Sequence, residues 1–417
     1  MAENRYDIVI IGGGAAGLAA SIFAARGAKG SCSVAIVEKQ QRVGRKLLAT
    51  GNGTCNLSNS GADLSRYHGN DRGFASGVLE GFPVEKTCEF FASIGVECTE
   101  REDGRIYPLC LQAGAVLDCM RLEARSLGVA ELVNMQVTGI VCNDGFILDT
   151  TGGRLYAKRV LVCTGGAASP SLGGSAESYS LLTSLGHTRT PLFPSIVQVR
   201  TDTQYIKSVK GIRVDAVISF ELDGRTLASE KGEVLFTDYG LSGPAVMQIS
   251  RFVSDWERRR QGRMTAVLNL LPDMGQEQIM ESLRRRIGMQ GRTMGDMLTG
   301  LLQNRLGQTV LRSAGYRDFS RPAVSLDEDD LERIAKAITR WETEVTGTQG
   351  MGGAQTTAGG IATGEFDPNT MESRIVPGLY AAGELLDIDG DCGGFNLQWA
   401  WASAYAASRA IIDSLDR

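Results

Sequence analysis

The sequence predicts an α/β protein organised on a parallel sheet, and three observations carry that prediction. The first is the N-terminal stretch Tyr6 to Glu38, YDIVIIGGGAAGLAASIFAARGAKGSCSVAIVE, which reads as strand, glycine-rich turn, helix and strand. The second is a pair of later segments in which a short apolar strand runs into glycine: Val160 to Cys163 before Thr164-Gly165-Gly166, and Leu379 to Ala382 before Gly383. The third is composition. With 417 residues, 43% hydrophobic and 22% charged, the chain is an ordinary globular one, long enough for two or three domains.

Each part of the opening stretch has a physical reason. Ile8 to Ile11 is an unbroken apolar run, the pattern of a strand buried on both faces. Gly12, Gly14 and Gly17 follow at G-x-G-x-x-G spacing, and Ala15 to Arg26 reads as a small-residue helix ended by Gly27 and Gly30. The first glycine allows the tight turn, the second lets a pyrophosphate approach the backbone, and the third lets helix and strand pack closely. Ala15 and Ala16 then present the helix N-terminus, with its free N–H groups, to the phosphates. Ser33 to Val37 is a second strand, and Glu38 at its end can accept hydrogen bonds from a ribose diol, beside Lys39. In a chain with 52 glycines the motif alone would mean little, but its strand–helix setting marks a Rossmann-like dinucleotide site.

Charge, cysteine and histidine usage exclude other classes. A net charge of −5 gives no global drive toward nucleic acid or anionic membrane. Charged Glu3, Arg5 and Asp7 interrupt any signal peptide, and no apolar run reaches transmembrane length, so no membrane association and a cytoplasmic location are expected. Nine cysteines form no C-x-x-C and read mostly as small buried hydrophobes. Only two histidines, His68 and His187, are present, so no metal centre and no Ser-His-Asp triad is expected.

Along the chain, QQRVGRKLLATGNGTCNLSNS follows Glu38 and Lys39. Gly44, Arg45 and Lys46 lead to the turn Gly51-Asn52-Gly53, with Cys55 and Asn56 after it, the makeup of a loop lying along a dinucleotide. Helical patterns surround Val84 to Ile94 and Ala113 to Leu127, with the turn-and-strand EDGRIYPL between them. Residues 131–163 read as a β-meander that contains Val137 and returns to the sheet at Val160. Residues 190–270 look β-rich. Residues 276–345 look helical and charged, and Asp327 can cap the clearest helix. In the C-terminal segment GLYAAGELLDIDGDCGGFNLQWAWASAYAASRAII, Gly383, Glu384 and Asp387 follow the strand. Gly390 to Gly394 form a loop, and Phe395, Asn396, Leu397 and Gln398 open an Ala-rich helix. The organisation expected is a nucleotide domain in two segments, 1–190 and 350–417, with a β-rich insertion at 191–271 and a helical one at 272–349.

Three glycine-rich strand ends imply a ligand that spans the sheet edge. FAD is long enough, with its ADP half at the first motif and its flavin half at the last, where Asp387 would meet a ribitol hydroxyl and the helix N-terminus the electron-rich ring edge. With a single G-x-G-x-x-G in context, NAD(P)H is expected only as a transient electron donor.

These segments resemble the BaiN/YhiN-type flavoproteins, the NAD(P)/FAD-dependent or aminoacetone-oxidase-family enzymes. The likeness runs through Asp7 to Gly17, the stretch GRKLLATGNG, Cys55-Asn56, Gly104 to Pro108, GEVLFTDYGLSGP, Thr357 to Gly360 and Gly378 to Trp401. Thr54 departs from the arginine common in the family's GNGRCN turn. The resemblance implies a two-segment FAD domain, glutathione-reductase-like, interrupted by β-barrel-like and helical domains. It also implies a flavin hydride step on one of several substrates: a carbon–carbon double bond in a steroid-type molecule, a small amine, or a uridine of ribosomal RNA. A non-catalytic flavin redox sensor is a further reading. For double-bond reduction, hydride from flavin N5 must be matched by a proton at the next carbon. Cys55, Tyr107 and His68 are candidate acids. RNA would need a basic face, and Arg258, Arg259 and Arg260 with Arg284, Arg285 and Arg286 offer one. A small-molecule substrate is the leading expectation.

Overall fold

The apolar run before the first glycine turn becomes the strand Arg5–Ile11, whose last four residues are buried. The structure, a computed structural model, describes residues 4–415. The chain divides into two compact units, residues 1–193 with 355–417, and residues 194–354.

In the first unit, Arg5–Ile11 lies between Val34–Val37 and the long strand Gly153–Val162, parallel to both. Ala130–Leu132 extends the parallel sheet beyond Val34–Val37, and Leu379–Ala381 extends it beyond the C-terminal half of Gly153–Val162. The N-terminal half of that long strand pairs antiparallel with Phe146–Thr150, which pairs in turn with Val137–Cys142. The expected meander is therefore present, and its last strand carries the chain into the nucleotide sheet. A strand that serves both a meander and a parallel ladder must be long, and at ten residues it is.

The opening helix runs Ala15–Ala28, past the predicted glycine stop at Gly27. Gly27 stays helical because the terminal helix, Phe395–Leu415, packs on it: a Cβ at Gly27 would lie 3.3 Å from Ile412 Cγ1. Lys29, in the left-handed region, provides the cap instead. Trp399 and Trp401 of the terminal helix are fully buried. Their indole N–H groups donate to the Gly383 and Leu57 carbonyls at 3.0 and 2.9 Å, so this helix ties together segments more than 300 residues apart. A buried indole without such an acceptor would cost roughly 1–3 kcal/mol.

The second unit contains a closed six-stranded barrel: Val199–Thr201, Arg213–Leu222, Arg225–Phe236, Gly240–Ser242, Met264–Asn269 and Trp341–Thr348. Two expectations are corrected here. Within the β-rich stretch, Pro244–Arg259 is a helix, with proline at its first turn and Ala245, Val246, Ile249 and Val253 buried along one face. Within the stretch expected to be helical, Trp341–Thr348 is a strand, paired on both sides. Its alternation of Trp341, Thr343 and Val345 with Glu342 and Glu344 is a period-two pattern that follows directly on a helical one. The helices Gln276–Ile287, Asn304–Ser313 and Glu328–Thr339 share one apolar core with the barrel strands. The Asp327 carboxylate accepts from the Asp330 N–H at 2.9 Å, the expected cap.

Of the nine cysteines, only Cys55 and Cys163 are buried, while Cys110 and Cys142 are exposed, so the reading of most as core residues does not hold. Cys110 lies in a turn and Cys142 on the outward face of a meander strand. Among the described residues no helix is long and apolar enough to cross a membrane.

Candidate functional site

Three glycine-bearing strand ends converge on the first turn of the opening helix. Gly12 has φ 102°, and a Cβ there would lie 2.5 Å from the Cys163 carbonyl oxygen, beside Thr164. A Cβ on Gly17 would lie 1.9 Å from the Gly12 oxygen, and one on Gly383 would lie 3.0 Å from Ala16 Cβ. The helix has no side-chain cap and no acid in its first turn, which leaves the N–H groups of Ala15, Ala16 and Gly17 for an anion. A Cβ on Gly14 or Gly165 would meet no atom within 4 Å, so the backbone cradle there is open to a ligand. The Glu38 carboxylate accepts from the Gly13 and Gln40 N–H groups, each at 2.8 Å, and is held at the mouth of the turn. Lys39 beside it is exposed. The Met135 N–H donates to the Glu38 carbonyl at 3.0 Å, which draws buried Val137 to this end.

Beyond the turn, several expected ligand contacts have protein partners. The Lys46 ammonium pairs with Glu384 at 2.6 Å, and Glu384 also accepts from the Thr357 N–H at 2.9 Å. The Thr357 hydroxyl oxygen takes the Ala167 and Ala168 N–H groups, which fixes the chain after Gly166. Arg45 donates to Gln40 at 2.8 Å, and Gly44 is buried against Leu117. Gly51-Asn52-Gly53 is an exposed turn, and the Thr54 hydroxyl closes it by donating to the Gly51 carbonyl.

The opposite end is assembled from residues 56–59, 103–107 and 390–396. Gly394 has φ 103°, and a Cβ there would lie 2.3 Å from the Ser58 carbonyl oxygen and 2.9 Å from Asn56 Oδ1. Asn59 donates to the carbonyls of Gly393 and Asp103 at 3.0 and 3.1 Å. The terminal helix starts at Phe395 with no acid in its first turn. The Gln398 N–H is taken by the Gly394 carbonyl, so the donors at this end are the N–H groups of Phe395, Asn396 and Leu397. The side chains of Asn396 and Gln398 have partners within the protein. Asn396 staples the loop through both Gly390 backbone groups, at 2.8 Å each. Gln398 is buried, accepting from Ser58 and Thr87 and donating to the Phe82 carbonyl. Asp387 is buried and accepts from the Asn70 N–H at 3.3 Å.

Two polar atoms decide whether FAD fits. Asn56 Oδ1 and Thr164 Oγ1 are buried with no partner among the described residues, and both belong to segments expected to face the cofactor. Buried polar atoms in folded chains are almost always paired. With the open cradle at Gly14 and Gly165 and uncapped helix starts at both ends, the residues fit a long ligand with phosphates in its middle and hydrogen-bonding groups on either side.

The three candidate acids separate. Cys55 is fully buried, its backbone is left-handed at φ 61°, and burial pushes its thiol up to about 11. The Cys55 thiol is enclosed by protein, whereas His68 and Tyr107 are only partly buried. His68 is half-buried and sits 2.7 Å from Asp391, which also pairs with Arg66 at 3.4 Å. Tyr107 lies on the half-exposed face of the strand Arg105–Pro108, next to Gly51. Sequence reading missed Arg105 and Asp391. The period-two alternation of Arg105-Ile106-Tyr107-Pro108 was the signal that would have found the first.

Residues 6–410 match the HI0933-like protein Rossmann domain family. The chain is 39% identical to a 3-dehydro-bile acid Δ4,6-reductase of Clostridium scindens, over 97% of this chain and 99% of the relative. It is 30% identical to a ribosomal RNA dihydrouridine synthase of Escherichia coli, over 98% of each. Among solved structures, a 3-ketosteroid Δ1-dehydrogenase of Sterolibacterium denitrificans shares the fold, with a TM-score of 0.50 at 12% identity over 99% of this chain and all of that one. The chain therefore belongs to the HI0933-like Rossmann-domain family of FAD-dependent oxidoreductases.

Proposed function

We propose that this enzyme reduces an activated carbon–carbon double bond in a steroid- or bile-acid-like small molecule, in the cytoplasm, with NAD(P)H as the transient electron donor. The observation that carries the reading is the full-length 39% identity to a bile acid reductase, against 30% to a ribosomal RNA enzyme. Bound FAD supplies hydride chemistry; the rest is the work of this chain's residues. Glu38, the Gly12–Gly17 turn and the N–H groups of Ala15, Ala16 and Gly17 hold the ADP half. Thr164, beside Gly12, lies with the phosphates, and Asn56, Asp387 and the terminal helix start hold the flavin half. Tyr107, on the half-exposed face, supplies the proton at the carbon next to the one reduced.

Uridine reduction in ribosomal RNA is the second reading, favoured by the length of the match to that relative. Several arginines of its basic face have partners within the protein. Arg258 and Arg259 pair with Asp255, Arg284 pairs with Glu328 and Glu277, and Arg286 donates to the Thr299 carbonyl.

The test is anaerobic. The flavin is reduced, and a Δ4-3-oxo steroid or a uridine-bearing ribosomal RNA fragment is offered. Reoxidation by the steroid at least tenfold faster than by buffer is the expected result. Faster reoxidation by the RNA, or no acceleration by either, overturns the reading.

A further inference from the structure

The strand Arg105–Pro108 alternates half-exposed and buried residues, so Arg105 and Tyr107 project from one face while Ile106 and Pro108 pack inward. Its position is fixed by pairing with Ser58–Asn59 on one side and Cys98–Glu100 on the other. Asn59 bridges the Asp103 carbonyl to the Gly393 carbonyl, tying this strand to the glycine loop before the terminal helix. Arg105 consequently stands against that loop: a Cβ on Gly393 would lie 3.7 Å from Arg105 Nε. Tyr107 stands against the other glycine turn, 3.6 Å from a Cβ on Gly51.

Arg105 differs from other basic residues of the candidate site. Lys46 is paired with Glu384, and Arg66 with Asp391. The Arg105 guanidinium makes no hydrogen bond or ion pair among the described residues, although it is half-buried. A guanidinium carries five donors and stays charged, so this one, with no acceptor in the protein, is available to an oxygen ligand. The Tyr107 hydroxyl, two residues away on the same face, likewise has no partner among the described residues.

We propose that Arg105 is the oxyanion-holding residue of the site: it binds the carbonyl oxygen conjugated to the double bond that is reduced. The proposal deepens the reading of the chain as a double-bond reductase and rests on it. In such a reduction the hydride, drawn from reduced flavin, adds at the β-carbon. The double-bond pair shifts to join the α-carbon and the carbonyl carbon, and the carbonyl π pair moves onto oxygen as an enolate. The Arg105 N–H groups meet that charge as it forms. The Tyr107 hydroxyl then gives its proton to the α-carbon, the oxygen pair returns to the carbonyl, and the tyrosinate regains a proton from water. The substrate gains one hydride and one proton, and the two electrons of the hydride are those that bound, reduced FAD would supply.

The experiment compares wild-type, Arg105→Met and Arg105→Lys holoenzymes, all checked for bound FAD. Two anaerobic acceptors are used: a neutral Δ4-3-oxo steroid and a Δ4-3-oxo bile acid bearing a side-chain carboxylate. Arg105→Met is expected to slow reoxidation by both about 100-fold, the usual loss for one oxyanion donor, with partial recovery in Arg105→Lys. A steroid with a phenolic ring serves as an oxyanion mimic, titrated into oxidised holoenzyme and followed by the flavin absorbance. The wild type should bind it with rising affinity as the phenol ionises, and Arg105→Met should bind it at least tenfold more weakly, without that pH dependence. An effect confined to the carboxylate-bearing acceptor overturns the assignment, because Arg105 would then hold the carboxylate. Unchanged phenol binding in Arg105→Met overturns it as well. A wild-type enzyme that neither steroid reoxidises defeats the reductase reading instead, and the phenol titration still decides Arg105.

Discussion

The two ends of the candidate site are built in opposite ways. The phosphate end is local: one strand, one turn and one helix within Arg5–Ala28, closed by Glu38, with glycine wherever backbone must approach backbone. The end proposed for the flavin is collective. It joins residues 56–59, 103–107 and 390–396 through side chains that bond to backbone, with Asn59, Asn396 and Gln398 as the ties. A local site depends on sterics at single positions, whereas a collective one depends on a network of buried amides and loses cohesion when one is removed.

That contrast can be broken at the phosphate end by Gly17→Val. Its Cβ would stand 1.9 Å from the Gly12 carbonyl oxygen, backbone that cannot yield, so a loss of about 3 kcal/mol or more and no copurified FAD are expected. Thermal unfolding and the absorbance ratio of flavin to protein check both, and a yellow Gly17→Val protein of normal stability would defeat the steric account. At the flavin end, Gln398→Leu leaves the Phe82 carbonyl, Ser58 and Thr87 each short of a bond, which should cost roughly 2–4 kcal/mol. FAD should still bind at the phosphate end but be retained less well through dialysis. If retention equals that of wild type, the network is not what holds the flavin end.

The buried thiol sharpens the comparison further. Cys55→Ala should leave steroid-driven reoxidation within about threefold of wild type, since the thiol is enclosed by protein. A drop beyond 100-fold in single-turnover measurements would return Cys55 to the chemistry. The smallest effect expected is in pH dependence. His187 lies 3.0 Å from Glu365 and 2.9 Å from the Ser373 hydroxyl, and burial holds its protonation below the usual range. Its contribution to stability is therefore complete above the unfolded value of about 6.5 and is lost as pH falls through the lower folded value. Glu365, also held low, acts in the same direction at more acid pH. The melting temperature should fall below pH 6.5, and less steeply in His187→Gln; identical slopes would rule His187 out as the source.

Much of the phosphate end was legible in the residues because its constraints lie within one helical turn of each other. Gly12 and Gly17 stand against backbone as their spacing implied. The barrel strand Trp341–Thr348 was not legible, because a period-two pattern follows immediately on a helical one without a glycine or proline between them. Lys46 and Gln398 were read as ligand contacts from position alone. Only packing shows that the first has Glu384 and the second has Phe82, Ser58 and Thr87.

The sequence by itself determined the parallel sheet, the dinucleotide turn and the return of the C-terminal segment to the same domain. Those follow from periodicity and from glycine's freedom, which are local properties. Tertiary structure alone decided which polar groups are spent inside the protein and which are left over. That question compares partners more than 300 residues apart, as in Ser58 with Gln398, and no local pattern contains the answer. It is also what separates Arg105, half-buried and unpaired among the described residues, from the arginines that the sequence made more conspicuous.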